Sequence, residues 1–344
     1  MKPSFKENYT CKKKYRLDFG LSSNPLGPSP QVMPTLCANG ELLAPYPEVD
    51  YPFLRETIAS FYSCDKQDIF LGNGLDGLIY DIMMLILEEN DELIIPEVTF
   101  RNAIYPAMYR KAKITQIPVK PNLSIDFDRM IQAISPTTKV IFLCNPNNPT
   151  GIYEPLEEIV RLLQYSPSAL VIIDEANIEY SGGSCLYLTE QFPNLLVLRT
   201  FSKAYGLASM RIGYGVSRCS LLQELSIKRP PFCLTSLAAL AACIALEDQE
   251  YLHHSVVYTK RECCFMGHAL ESLKFTVIPS QANTILCRIP ASVASASDLV
   301  ARLHRHDCHV VNGTFFNLPD QYLRIAPRLH SANVECISIL KEIL

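Results

Sequence analysis

The sequence is short of charge. Only 19% of its 344 residues are Asp, Glu, Lys or Arg, below the quarter or so usual in globular domains. What charge there is nearly cancels: 31 Lys and Arg stand against 35 Asp and Glu, for a net of −4 and a pI near 6.0. That balance gives no electrostatic reason to expect nucleic acid or an anionic membrane surface as a partner. No run approaches the roughly 18 apolar residues of a membrane span, and the lysine-rich stretch Met1 to Arg16 lacks the apolar core of a secretory signal. There is no internal repeat, no low-complexity tract and no flexible linker. The 13 cysteines, an odd number, include no Cys-x-x-Cys pair. Neither a disulfide framework nor a zinc site is therefore expected, and the thiols read as small buried hydrophobes in a reducing, cytoplasmic setting. His253-His254 and the group His304, His306 and His309 lack companion ligands at fixed spacing, so no metal is expected and a surface or helix-end reading is preferred.

What the chain does have is apolar mass. Hydrophobic residues make up 48% of it, enough at this length for a large core and about two domains. Short apolar runs alternate with longer helical stretches. The strand candidates are Asp68–Leu71, Leu93–Ile95, Lys113–Ile117, Val140–Cys144, Leu170–Ile173, Leu195–Leu198 and Ile212–Val216. Several are apolar throughout, as strands buried on both faces of a mostly parallel sheet must be. Helix candidates Leu75–Glu89, Pro155–Leu163 and Leu234–Glu247 fall between them. Strand, helix, strand in repetition predicts an α/β layered domain. The first 45 residues, rich in Pro, Ser and Asn, read as an arm lying over something else. From about Tyr251 a long helix leads to Asn283–Ile289, a helix Ser295–Arg305, two short strands and a last helix. The predicted division is an arm at 1–45, a large domain at 46–250 and a small α+β domain at 251–344 joined by the arm.

Ligands of open α/β sheets sit beyond the carboxyl ends of the strands. Three consecutive strands here end in polar groups: Asn145-Pro146-Asn147-Asn148-Pro149-Thr150-Gly151, then Asp174-Glu175-Ala176-Asn177, then Thr200-Phe201-Ser202-Lys203 with Arg211 eight residues on. Each alone is ordinary turn or capping chemistry. On one sheet edge, a lysine, an acid, donors and a cation together meet the needs of pyridoxal 5'-phosphate, which takes a lysine on its aldehyde and an acid on its ring nitrogen. Gly72-Asn73-Gly74-Leu75-Asp76-Gly77 also fits G-x-G-x-x-G, but the acid Glu92 precedes the next strand instead of ending it, against a dinucleotide site. The same physics suits a phosphate held by the helix N-terminal amides of Gly74, Leu75 and Asp76.

Through Asn148-Pro149-Thr150-Gly151, Asp174-Glu175-Ala176, Thr200 to Ala208 with Arg211-Ile212-Gly213, and Leu323-Arg324-Ile325, the chain resembles the fold-type I aminotransferases, class I/II, in the histidinol-phosphate aminotransferase branch. The resemblance covers nearly the whole chain. It implies the aspartate aminotransferase-like fold, with a mostly parallel seven-stranded sheet, and a pyridoxal phosphate enzyme that runs ping-pong transamination through a Lys203 Schiff base. An amino acid or amino-acid-derived amine would be the donor and an oxo acid the acceptor. By resemblance Asp174 pairs with the ring nitrogen, Asn148 and Asn177 face the ring oxygen, and Thr200, Ser202 and Arg211 hold the phosphate. Phe100 stacks on the ring, Arg324 grips a substrate anion, and Tyr46 reaches the neighbouring subunit's site, which implies a homodimer. Two positions depart from the branch: Asn177 stands where a tyrosine is usual, and Asn312 where a second substrate arginine is usual. Pro231-Phe232-Cys233 replaces the usual Pro-Phe-Asn, and Arg328 could supply a replacement charge or be a surface residue. The alternatives are a decarboxylase or lyase resembling threonine-phosphate decarboxylase, or a non-catalytic binding protein of the same fold.

Overall fold

A computed structural model describes residues 14–220 and 231–344. Residues 1–13 of the expected arm lie outside the described residues. The described arm begins with a two-residue strand, β1 (Leu17–Asp18). Seven strands then form one sheet: β2 (Ile69–Asn73), β3 (Glu92–Pro96), β4 (Lys113–Ile117), β5 (Thr138–Cys144), β6 (Leu170–Asp174), β7 (Leu195–Thr200) and β8 (Ile212–Val216). Their order is β2-β8-β7-β6-β5-β3-β4. Only β8 runs antiparallel to its neighbours, and the others pair in parallel. This is the mostly parallel seven-stranded sheet of the aspartate aminotransferase-like α/β fold.

The apolar runs form strands because both faces of the sheet are covered. Ile141, Leu143, Val171, Ile173, Leu195 and Val197 face one core. Val140, Phe142, Leu170, Ile172, Leu196 and Leu198 face the other. Each such side chain contributes on the order of 1.5–3 kcal/mol by leaving water. Gly72 on β2 lies where a Cβ would meet Leu78 of the helix Gly74–Ile86, so its bareness permits close helix–sheet packing. β2 is also an edge strand with an antiparallel neighbour.

Toward the carboxyl end, a four-stranded antiparallel sheet has the order β12-β13-β10-β9, with β9 at Thr276–Val277, β10 at Ile285–Arg288, β12 at Val311–Asn312 and β13 at Tyr322–Ile325. The helices Gln249–Ser272, Ala296–Arg305 and His330–Ile343 share a core with it. Asp248 and Ser295 cap the first two, accepting from the amides of Tyr251 and Asp298 at 3.1 Å. The arm is tied in here, because β1 pairs in parallel with β11 (Cys308–His309) and Phe19 O accepts from Ala326 N at 2.9 Å. Among the described residues no helix is long and apolar enough to cross a membrane.

Candidate active site

Strand register brings the polar termini to one edge. Cys144 at the end of β5 lies beside Asp174 at the end of β6, and Asp174 beside Leu198 of β7. β8 runs the other way, so its start meets the ends of β2 and β7: Ile212 pairs with Asn73 and Gly213 with Thr200. Arg211, Gly74 and Lys203 thereby converge without any long reach.

Arg211 and the start of the helix Gly74–Ile86 form a cradle. The Arg211 guanidinium lies 3.7 Å from the Asp76 carboxylate and 3.5 Å from Ser202 Oγ, and it donates to Ala208 O at 3.0 Å. Gly74 has φ +67°, and a Cβ there would sit 2.2 Å from Arg211 Nη2, so only glycine leaves the guanidinium its place. One expectation is corrected: the Gly74 amide is not free for a phosphate, since it donates to Arg211 O at 2.7 Å. It closes the turn that binds β2 to β8. Leu75, whose own side chain is buried, follows in the first turn of the helix. Asp76 accepts from Asn102 Nδ2 at 2.6 Å. Thr200 Oγ1 receives Ser202 N at 3.1 Å, turning the chain toward Lys203.

Asp174 is buried and poorly paired. Its carboxylate accepts from the Ala176 amide at 2.9 Å and from the Cys144 thiol at 3.7 Å. Burial, reinforced by the negative charge of Asp76, pushes its pKa up to about 7. Lys203 moves the opposite way. Burial and the nearby Arg324 cation pull its amine down to about 8, against the pull of Asp76 and Asp174. Lys203 Nζ donates to Ser22 Oγ of the arm at 2.5 Å. Phe100, half-buried, packs against the core on that side of the sheet. Asn148 Oδ1 accepts from Arg324 at 3.2 Å, and Arg324 also donates to Gly20 O with its guanidinium 5.1 Å from the Phe316 ring centre. Asn177 is buried, and its Oδ1 has no hydrogen-bond partner.

These residues fit pyridoxal phosphate. A buried carboxylate without a cation, a lysine amine of lowered basicity, a buried asparagine amide and a glycine-cleared arginine cradle are the donors, acceptors and charges that a cationic ring and a phosphate dianion would complete. Tyr46 stands apart, 85% exposed and stacked on Phe232 at 5.2 Å. Asn312 is a building residue: it caps the short helix Gly313–Phe316 by accepting from Thr314 N at 2.8 Å and donates to Asp320 at 2.7 Å. Arg328 grips the arm through Leu21 O at 3.2 Å and Ser23 Oγ at 3.1 Å. Ser22, Asn24 and Asn283 went unnoticed in the sequence. The one available signal was the polar character of the arm. Among the described residues no His, Cys, Asp and Glu cluster could hold a metal, and the 12 described cysteines are free thiols.

The fold and the edge geometry define a pyridoxal phosphate enzyme, and comparison with known proteins narrows the class. The family of class I and II aminotransferases matches residues 16–337. The chain is 31% identical to the histidinol-phosphate aminotransferase of Methanosphaera stadtmanae, over 100% of this chain and 94% of that one. It is 36% identical to that of Staphylococcus epidermidis, over 93% and 89%. The solved histidinol-phosphate aminotransferase of Sinorhizobium meliloti in complex with pyridoxal-5'-phosphate superposes with a TM-score of 0.88 at 23% identity, covering 97% of this chain and 93% of that one. The protein belongs to the class I and II aminotransferase family. It is a transaminase, and its cofactor is pyridoxal 5'-phosphate.

Proposed function

We propose that Lys203 is the lysine that carries the cofactor and the base that moves the substrate's α-proton, on an amino acid or amino-acid-derived amine of the histidinol-phosphate type. The observation that carries this reading is the opposed pair on one sheet edge: a half-buried lysine drawn down to about 8 and a buried aspartate pushed up to about 7. Bound pyridoxal phosphate supplies an aldehyde that takes the amino group and a ring that accepts the electron pair left at the α-carbon. Asp174 holds a proton on the ring nitrogen. Asn148 and Asn177 hold the ring oxygen, and Phe100 covers the ring face. Arg211, Ser202, Thr200 and the amides of Leu75 and Asp76 bind the phosphate. Arg324, held ready by Asn148 and Gly20, binds a substrate anion bidentately. Near neutral pH a fraction of Lys203 is the neutral amine, the state that can accept a proton.

In this reading the protein works as a cytoplasmic homodimer of chains that each divide at 46–250 and 251–344, the arm 1–45 joining the second part. Leu43, Tyr46, Val49 and Phe53 are exposed apolar residues close together in sequence, which suits a second copy packing there with Tyr46 reaching across. The test adds histidinol phosphate and a panel of amino acids, one at a time and without acceptor, to the purified protein. Conversion of the aldehyde-form absorbance to the amine form by one compound, reversed by an oxo acid, supports transamination and names the donor. Release of carbon dioxide without that conversion would instead favour a decarboxylase. Light scattering at half the expected dimer mass would refute the shared site.

A further inference from the structure

The arm segment Gly20–Asn24 crosses the site as a strap fixed from several sides. Arg324 donates to Gly20 O, Arg328 to Leu21 O at 3.2 Å, and buried Asn283 to Ser22 O at 2.8 Å. Asn24, itself buried, donates to Ala204 O at 2.8 Å, the carbonyl next to Lys203, and to Ser255 Oγ at 2.6 Å. Backbone and flanking side chains therefore hold the strap without the hydroxyl of Ser22. That hydroxyl, buried within the site, instead accepts from Lys203 Nζ at 2.5 Å. A fixed strap offers one acceptor to the mobile end of a four-carbon side chain, so the direction of restraint runs from Ser22 to the lysine.

We propose that Ser22 is a further catalytic residue, one that fixes the Lys203 amine for proton transfer; this rests on the reading of Lys203 given above. A neutral amine has two N–H bonds and one lone pair. With one N–H held on Ser22 Oγ, rotation about Cε–Nζ stops and the lone pair has a fixed direction, which is the positional requirement of a general base. When Nζ takes the α-proton from a bound donor it becomes an ammonium with three N–H bonds. Ser22 keeps one of them, so the new buried charge stays hydrogen-bonded until the proton is returned. The charged groups acting on Nζ are Arg324, Asp76, Asp174 and Arg211. Ser22 is a neutral acceptor among them.

The experiment compares wild type with Ser22→Ala, Ser22→Cys and Ser22→Thr. The first readout is the pKa of Lys203 Nζ, taken by ¹⁵N-lysine NMR on protein loaded with pyridoxamine phosphate, in which the lysine is a free amine. The second is the rate of the donor half-reaction with α-protonated and α-deuterated substrate. Losing an acceptor disfavours the ammonium, so the Ala and Cys variants should titrate lower than wild type. They should transfer the α-proton about tenfold more slowly, one hydrogen bond's worth, with a larger isotope effect and unchanged cofactor affinity. Thr, which keeps the hydroxyl, should restore both readouts. The Cys variant preserves the shape, so it decides the outcome if the Ala variant does not fold. Unchanged titration and isotope effect in Ala or Cys, or loss of both in Thr as well, would overturn the proposal. Failure of the underlying reading would look different: wild type itself would show no cofactor absorbance that Lys203→Ala removes.

Discussion

Two clusters of buried charge lie on neighbouring residues of the same strands, and they are built to opposite ends. Behind the sheet edge, Glu175 accepts from Cys185 N at 2.7 Å, Ser184 Oγ at 2.7 Å and Arg199 Nε at 2.9 Å. Arg199 in turn reaches Glu179 at 3.3 Å, the Tyr62 hydroxyl at 3.3 Å and Ser184 Oγ at 2.9 Å. One residue earlier, Asp174 has a single backbone amide and a distant thiol. Four residues beyond Arg199, Lys203 donates its amine to Ser22 Oγ. The first cluster joins one arginine to two carboxylates; in the second, Asp174 and Lys203 lie near each other with no hydrogen bond between them. Paired buried charge holds the loop 175–185 in place, and unpaired buried charge is what a cofactor and a substrate proton can use.

The sharpest way to break this comparison is at Lys203. Lys203→Ala should lower transamination on the order of 10⁴-fold, as expected when an acid-base and attachment group is lost, with little change in thermal stability. Steady-state assay beside a melting curve checks both halves. Next is the paired cluster. Arg199→Met leaves Glu175 and Glu179 buried without their cation and should cost about 3–5 kcal/mol of stability in denaturant unfolding. A Glu179 carboxyl already held up to about 7 by burial would then be protonated at neutral pH.

Smaller effects separate the two clusters further. Gly74→Ala puts a Cβ at 2.2 Å from Arg211 Nη2 on a backbone with φ +67°. It should weaken pyridoxal phosphate binding by about tenfold, read by absorbance titration. The last effect is a pH slope. In cofactor-free protein Asp174 titrates near 7 against 3.8 in the unfolded chain, so the folded state holds a proton that the unfolded state has released. Its contribution is therefore present below 3.8 and is lost as pH rises toward 7. Melting curves across that window should be flatter in Asp174→Asn than in wild type. Saturating cofactor, which brings a cation to the carboxylate, should flatten wild type too.

The fold was legible where one physical rule dominates. Runs such as Val140–Cys144 and Leu170–Ile173 can be apolar throughout only when both faces of a strand are covered, and the observed strands Thr138–Cys144 and Leu170–Asp174 contain them. Ser295, expected as the first residue of a helix, instead caps Ala296–Arg305. At the site, Asp174 ends a strand, Arg211 immediately precedes one and Lys203 follows one by three residues, which is why the three stood out together. The committed amide of Gly74 was not readable, since it depends on β8 folding back against β2. Ser22 was invisible too, because it meets Lys203 across 181 positions of sequence. Asn312 drew notice as a missing arginine, and the structure shows it capping a short helix.

The most direct test of the account is to reduce the purified, cofactor-loaded protein with borohydride, digest it and locate the added mass by mass spectrometry. Pyridoxyl phosphate is expected on the peptide containing Lys203 and on no other. Label on a different lysine, or none in a protein that shows cofactor absorbance, would contradict it.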